Sequence, residues 1–211
     1  DEKNKTWSEL LPHYQEELAN LKRNVNILKS TGKTDVRITP QPLKPATVDL
    51  TGTNQEMYLL KKNQPVYTDR NLVINNIADE LKLLKGVKLS YEQQVSEGTV
   101  IHFRCDEPVK VVVGYLNGHS YSILQPPTLE TDASANERGQ ADIRIANAVD
   151  IPGLYPVNVY TYDFEAGENT LSLGKGSVLI LGFAEANQEI MKRDAGIGTD
   201  EISEGIDWLF Y

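Results

Sequence analysis

The chain has 211 residues, 40% hydrophobic and 24% charged, which allows one domain of ordinary size with an appendage and excludes a disordered chain. Its formal net charge of −9 excludes nucleic acid and anionic membrane as general partners, because both need a basic face. No stretch approaches the ~20 apolar residues of a membrane helix, so no membrane insertion is expected, and the single cysteine, Cys105, excludes an intrachain disulfide.

In chain order, the first element predicted is a long amphipathic helix over residues 1–32. Trp7, Leu11, Tyr14, Leu18, Leu21, Val25 and Leu28 recur at alternating spacings of four and three, with Glu16, Glu17, Lys22 and Arg23 off that seam. Ser8 suits the N-cap, Pro12 the first turn, and Gly32 the stop. A stripe this long has to dock on the sheet, on another domain or on a second chain. The opening Asp1-Glu2-Lys3-Asn4-Lys5 has no apolar segment behind it and does not read as a signal peptide. An intact cytosolic protein, a processed secreted one and an excised piece all fit. Residues 33–46, with Pro40, Pro42 and Pro45, read as an extended linker.

From residue 47 to 186 the periodicity moves towards two, in strand-length runs separated by turn signals. The runs are 47–51, 56–61, 66–68, 72–75, 87–91, 99–105, 109–116, 121–124, 141–146, 155–162, 170–173 and 177–183. A helical turn over 78–84 interrupts them. Asn117-Gly118 predicts a type I′ hairpin joining 109–116 to 121–124, because that turn needs positive φ at both central residues. Gly174-Lys175-Gly176-Ser177 lacks the spaced glycine of a phosphate loop and reads as a second hairpin turn. Many short strands without alternating helices predict a mostly β fold: an antiparallel two-sheet sandwich, jelly-roll or galactose-binding-like, behind the N-terminal helix. The tail, 187–211, is expected to hold a short helix near 188–193 and a docking segment at Trp208, Phe210 and Tyr211.

Residues able to carry chemistry are scattered. His13, His102 and His119 are too far apart in sequence for a zinc site, and Cys105 reads as a small buried hydrophobe. Glu130, Asp132, Asn136, Glu137 and Asp142 form an oxygen-rich loop that could take Ca²⁺, although the spacing is not that of an EF-hand; no other cofactor is expected. Asp106-Glu107 and Asp163/Glu165 are poor pairs for glycoside hydrolysis, since strand neighbours point to opposite faces. Tyr160 and Tyr162 share a sheet face, where core packing competes with a sugar-stacking platform.

Two stretches carry a resemblance. Residues 63–82, with Tyr67-Thr68-Asp69-Arg70, and residues 157–183, with Ala166-Gly167 before Thr170-Leu171 and the Gly174-Lys175-Gly176 turn, resemble the opening and closing segments of β-sandwich modules in secreted glycan-processing proteins of Bacteroidetes-type bacteria. Ala78 stands near where that pattern has proline. The resemblance implies an exported accessory sandwich and brings no functional residues with it.

The leading expectation is a non-catalytic accessory or interaction domain of an exported bacterial protein, with a glycan as partner. Tyr67, Asp69, Arg70, Tyr115, His119 and Tyr121 are the candidate contact residues, by stacking and hydrogen bonding. The alternatives are a piece of a glycan-active hydrolase or lyase, and a structural adaptor that docks another domain or chain through its N-terminal helix.

Overall fold

The computed structural model describes residues 40–53 and 55–198. The predicted N-terminal helix, the first half of the linker and the aromatic end of the tail lie outside the described residues. The strands are β1 (Asp49–Leu50), β2 (Glu56–Leu59), β3 (Asn76–Ile77), β4 (Lys85–Lys88), β5 (Thr99–Cys105), β6 (Val109–Leu116), β7 (Ile145–Asp150), β8 (Val157–Phe164), β9 (Gly167–Leu173), β10 (Leu179–Glu185) and β11 (Arg193–Asp194). One α-helix, α1 (Tyr91–Glu97), and a 3-10 turn (Asp79–Leu81) stand among them. No helix among the described residues is long and apolar enough to cross a membrane.

The strands form two sheets. The smaller has the order β1-β5-β9, and the larger runs β11-β7-β8-β6-β10-β4-β2, with β3 also on β7. The pairings between these strands are antiparallel except β11 on β7. Period-two alternation explains why the sheets stack. In β5 the buried residues are Thr99, Ile101, Phe103 and Cys105, with the intervening side chains exposed. Phe103 meets Phe164 of β8 edge-on at 5.3 Å and Phe183 of β10 at 4.9 Å, so the small sheet covers one face of the large one. Burying one such phenylalanine contributes about 1.5–3 kcal/mol. Val109, Val111, Val113 and Tyr115 of β6 share this core.

The other face of the large sheet is packed as well, which is why β6 reads as a near-continuous apolar run. Val112 and Leu116 of β6, Val157 of β8 and Leu181 of β10 meet Ile74, Leu81 and Leu84 there. The chain goes from β3, on the β7 edge, through the 3-10 turn to β4, four strand positions away. So short a crossing fits a large sheet curled into a half-barrel. A bulge aids the curl: the β6–β10 register shifts between Ile180 and Gly182. Gly182 sits at φ +132°, where a Cβ would come within 2.7 Å of the Lys85 carbonyl.

Several predicted elements are corrected. The 109–116/121–124 hairpin does not form, because β6 already has β8 on one edge and β10 on the other. Neither Asn117 nor Gly118 adopts positive φ, and 121–124 keeps only a parallel bridge from Ile123 to Ser177. Residues 174–177 are a crossover, not a hairpin, since β9 and β10 belong to different sheets. Residues 188–193 are not helical; Arg193 and Asp194 pair in parallel with Ile145 and Ala146. The described α-helix lies between β4 and β5, where the sequence reading had a strand run to Tyr91.

Candidate functional site

The site is built around α1. Its N-cap is Ser90, whose hydroxyl accepts from the Gln93 amide at 3.1 Å and donates to Asp69 Oδ2 at 2.6 Å. Asp69 also accepts from the Tyr91 amide at 2.8 Å and the Glu92 amide at 3.0 Å. Burial pushes the Asp69 carboxyl up, but the Ser90 hydroxyl and the Glu92 and Tyr91 amides outweigh it and hold the pKa below the ordinary carboxylate value. Arg70 lies over the Tyr91 ring at 3.8 Å, and Tyr67 meets that ring edge-on at 5.3 Å. The Tyr67 hydroxyl shares a 2.5 Å hydrogen bond with Ser177, and burial pushes its pKa well above the usual tyrosine value.

The structure thus brings Tyr67, Asp69 and Arg70 together and separates them from the other predicted contacts. Tyr115 is 2% exposed inside the core between the sheets, its hydroxyl bonded to that of Tyr162 and its ring edge-on to Tyr160 at 5.1 Å. Tyr160 and Tyr162 are buried in the same core. His119 is exposed beyond the end of β6, and Tyr121 is 96% exposed. Tyr155 packs its ring on Gly118, where a Cβ would meet it at 2.5 Å.

Two cavities open beside α1. The smaller, about 440 Å³, is lined by Tyr67, Asp69, Arg70 and Lys88 among others. The larger, about 660 Å³, is walled by α1, the end of β4, the start of β5 and the approach to β2. Glu56 and Thr68 line both. The larger one carries Thr53, Gln55, Ser90, Gln93, Gln94, Glu97 and Thr99 on its polar side, and Leu89 and Val100 on its apolar side. Gln94 is anchored through Nε2, which donates to the Val178 carbonyl at 2.9 Å, and Gln55 through Nε2 to the Val100 carbonyl at 3.2 Å. Sequence reasoning missed these residues. Isolated glutamines and a strand threonine carry no signal, though Ser90 and Gln93 form the Ser-x-x-Gln pattern of a capping box that marks the helix presenting them.

The remaining predicted groups are engaged locally. Asp132 Oδ1 accepts from the amide and hydroxyl of Ser134, Asp142 pairs with Lys192 at 3.0 Å, and Asp163 with Lys110 at 2.8 Å. His102 Nδ1 lies 3.0 Å from the Thr170 hydroxyl, and Cys105 is buried. Among the described residues no group of three or more His, Cys, Asp or Glu side chains is arranged to hold a metal ion.

No family model matches the chain, and neither does any curated protein. Among solved structures, the chain is similar to a stretch of a GH138 enzyme targeting pectin rhamnogalacturonan II: 36% identity, TM-score 0.82, covering 100% of this chain and 23% of that one. A beta-glucuronidase from glycoside hydrolase family 2 matches 70% of this chain and 15% of its own at 13% identity and TM-score 0.44, a likeness too slight to carry an argument. The chain spans about a quarter of the GH138 protein it matches. It is a β-rich domain related to part of a glycan-active enzyme.

Proposed function

We propose that the chain is one domain of a larger hydrolase acting on a pectic glycan, and that its own share of the work is to hold the polymer. The observation that carries this is the 36% identity to the GH138 enzyme, spread over the whole chain at TM-score 0.82. It supports the reading as a piece of a glycan-active hydrolase better than the leading expectation of an accessory or interaction domain. An exported location belongs to the same proposal, because pectin is met outside the cell. The face around α1 supplies the contacts. Arg70 and Lys88 beside the smaller cavity offer cationic donors to the carboxylates of galacturonate units, and Tyr67 and Asp69 keep Arg70 in place through Tyr91 and the α1 cap. Tyr121 and His119 are a second exposed contact in this proposal, and Tyr115 supports them from within the core.

Affinity electrophoresis of the chain in gels cast with rhamnogalacturonan or homogalacturonan tests it. Retarded migration is expected, and weaker retardation for the Arg70→Ala/Lys88→Ala variant. Unretarded migration in every pectic gel would overturn the polymer-holding role. A second reading makes the domain catalytic, since the carboxylates Glu56 and Glu97 line one cavity. Release of reducing ends by the chain alone, abolished in Glu97→Gln, would favour it.

A further inference from the structure

Three buried side-chain oxygens among the described residues have no hydrogen-bond partner: Gln55 Oε1, Gln94 Oε1 and Thr99 Oγ1. All three residues line the larger cavity beside α1. A buried polar atom left unpaired is costly and uncommon, so three in one wall call for an explanation in what that wall meets. Gln94 is 2% exposed and Thr99 1% exposed, and both are fixed by the fold. Gln94 holds the Val178 carbonyl through Nε2 and receives the Gly176 amide on its backbone oxygen. Thr99 opens β5, paired with Leu173 of β9. Each glutamine Nε2 gives one N–H to a carbonyl, and each Oε1, which can only accept, is left unpaired at the cavity wall.

The charge of the wall narrows the ligand further. Glu56 and Glu97 contribute carboxylates, also acceptors, and no lysine or arginine lines the cavity. Glu97 Oε2 accepts from Gln93 Nε2 at 3.0 Å, which holds the carboxylate at the wall. A ligand that satisfies this surface brings several hydrogen donors and no negative charge. Leu89 and Val100 provide an apolar strip on which the C–H face of a sugar ring can lie. The volume of about 660 Å³ falls inside the ~300–1,000 Å³ of small-ligand sites.

The geometry points to a subsite for a neutral, hydroxyl-rich sugar unit in this cavity, with Gln94, Gln55 and Thr99 as acceptors for its hydroxyls and with uronic acids turned away by Glu97. The inference rests on the polymer-holding reading and deepens it. A rhamnogalacturonan contains sugars of both kinds, neutral and uronic, and the two cavities beside α1 divide them: the neutral unit at the amide wall, the carboxylate near Arg70 and Lys88.

The test is titration of the full chain with rhamnose and, separately, with galacturonic acid, following the side-chain amide signals of Gln94 and Gln55 by NMR. Rhamnose is expected to shift both saturably, and galacturonic acid to leave them unmoved until Glu97→Gln removes one charge. Thr99→Val swaps an unpaired buried hydroxyl for a methyl of the same shape. It should weaken rhamnose binding about 3- to 10-fold while leaving the melting temperature unchanged or raised. Gln94→Leu should abolish binding, with circular dichroism reporting whether the fold persists. Amide signals that ignore rhamnose at high millimolar concentration, or that respond equally to galacturonic acid, would overturn the proposal. Polymer retardation with no rhamnose response defeats this inference alone. A rhamnose response without polymer retardation defeats the polymer-holding role and leaves the subsite standing.

Discussion

Asp69 accepts three hydrogen bonds at the start of α1, from the Ser90 hydroxyl and the Tyr91 and Glu92 amides, so it works as a second cap beside Ser90 itself. Its replacement by alanine is expected to cost about 1 kcal/mol, the usual worth of a helix N-cap, read from chemical denaturation. The pH dependence has a definite sign. The folded pKa is held below the ordinary 3.8, so the folded state binds this proton less tightly than the unfolded chain. Its contribution is complete above about pH 4 and is lost as pH falls through the lowered value. The stability gap between the protein and Asp69→Ala should therefore narrow in acid; a gap constant down to pH 2 would contradict this cap. At this scale the sequence was partly legible. Tyr67, Asp69 and Arg70 stand together in the sequence, but the capping role of Asp69 was hidden because Tyr91 looks like the end of a strand. Tyr115 stands in a Val-rich run beside a turn signal, and nothing local tells that its hydroxyl finds Tyr162 in the core.

Among the elements, β11 is one of three described two-residue strands, laid parallel to β7, and it is held by a side chain. Arg193 grips Glu80 of the 3-10 turn through two bonds, Nε at 2.6 Å and Nη2 at 2.8 Å, and the Glu80 carboxylate is buried. Arg193→Ala leaves that carboxylate buried and unpaired, at a cost of about 2–4 kcal/mol. For a chain of this size the melting temperature should fall by roughly 5–15 °C. A drop under ~2 °C would mean that the pair contributes no more than an exposed one. Strands β5 and β6 were legible residue for residue, because each carries an unbroken alternating or apolar run. The 121–124 run was not. Its alternation is real, but pairing depends on whether the neighbour has a free edge, and β10 takes that edge from more than sixty residues further along the chain. The 188–193 segment was mistaken for a helix for a related reason, since the Arg193–Glu80 pair and the β7 edge override local propensity.

For the whole molecule, the two-sheet plan followed from many short strands, whereas the order of the strands is a property of long-range pairing that local periodicity does not carry. The tyrosines buried on the two faces of the large sheet predict a collective response to alkali. Tyr58, Tyr67, Tyr115, Tyr160 and Tyr162 are all pushed up, chiefly by burial, Tyr160 and Tyr162 to about 12. A raised folded pKa means stability that is whole below the unfolded value near 10 and lost as pH rises through the folded values. Phenolate absorbance and far-ultraviolet circular dichroism should therefore change together between about pH 10 and 12, as these rings ionise only when the sheets open. Full ionisation of all tyrosines with the sheet signal intact would contradict their burial.

The placement of β10 also has a consequence for biosynthesis. This strand, Leu179–Glu185, lies between β4 and β6, both of which leave the ribosome far earlier. Until β10 arrives, the nascent chain carries two strands, β4 and β6, whose facing edges have nothing to pair with, and unpaired edges invite pairing with other chains. Slower translation would lengthen that exposure, while a holdase bound to the early strands would shorten its effect. Yield from a cell-free synthesis should accordingly depend on chaperone supply more strongly than refolding of the finished chain does, since a released chain closes the gap in one step.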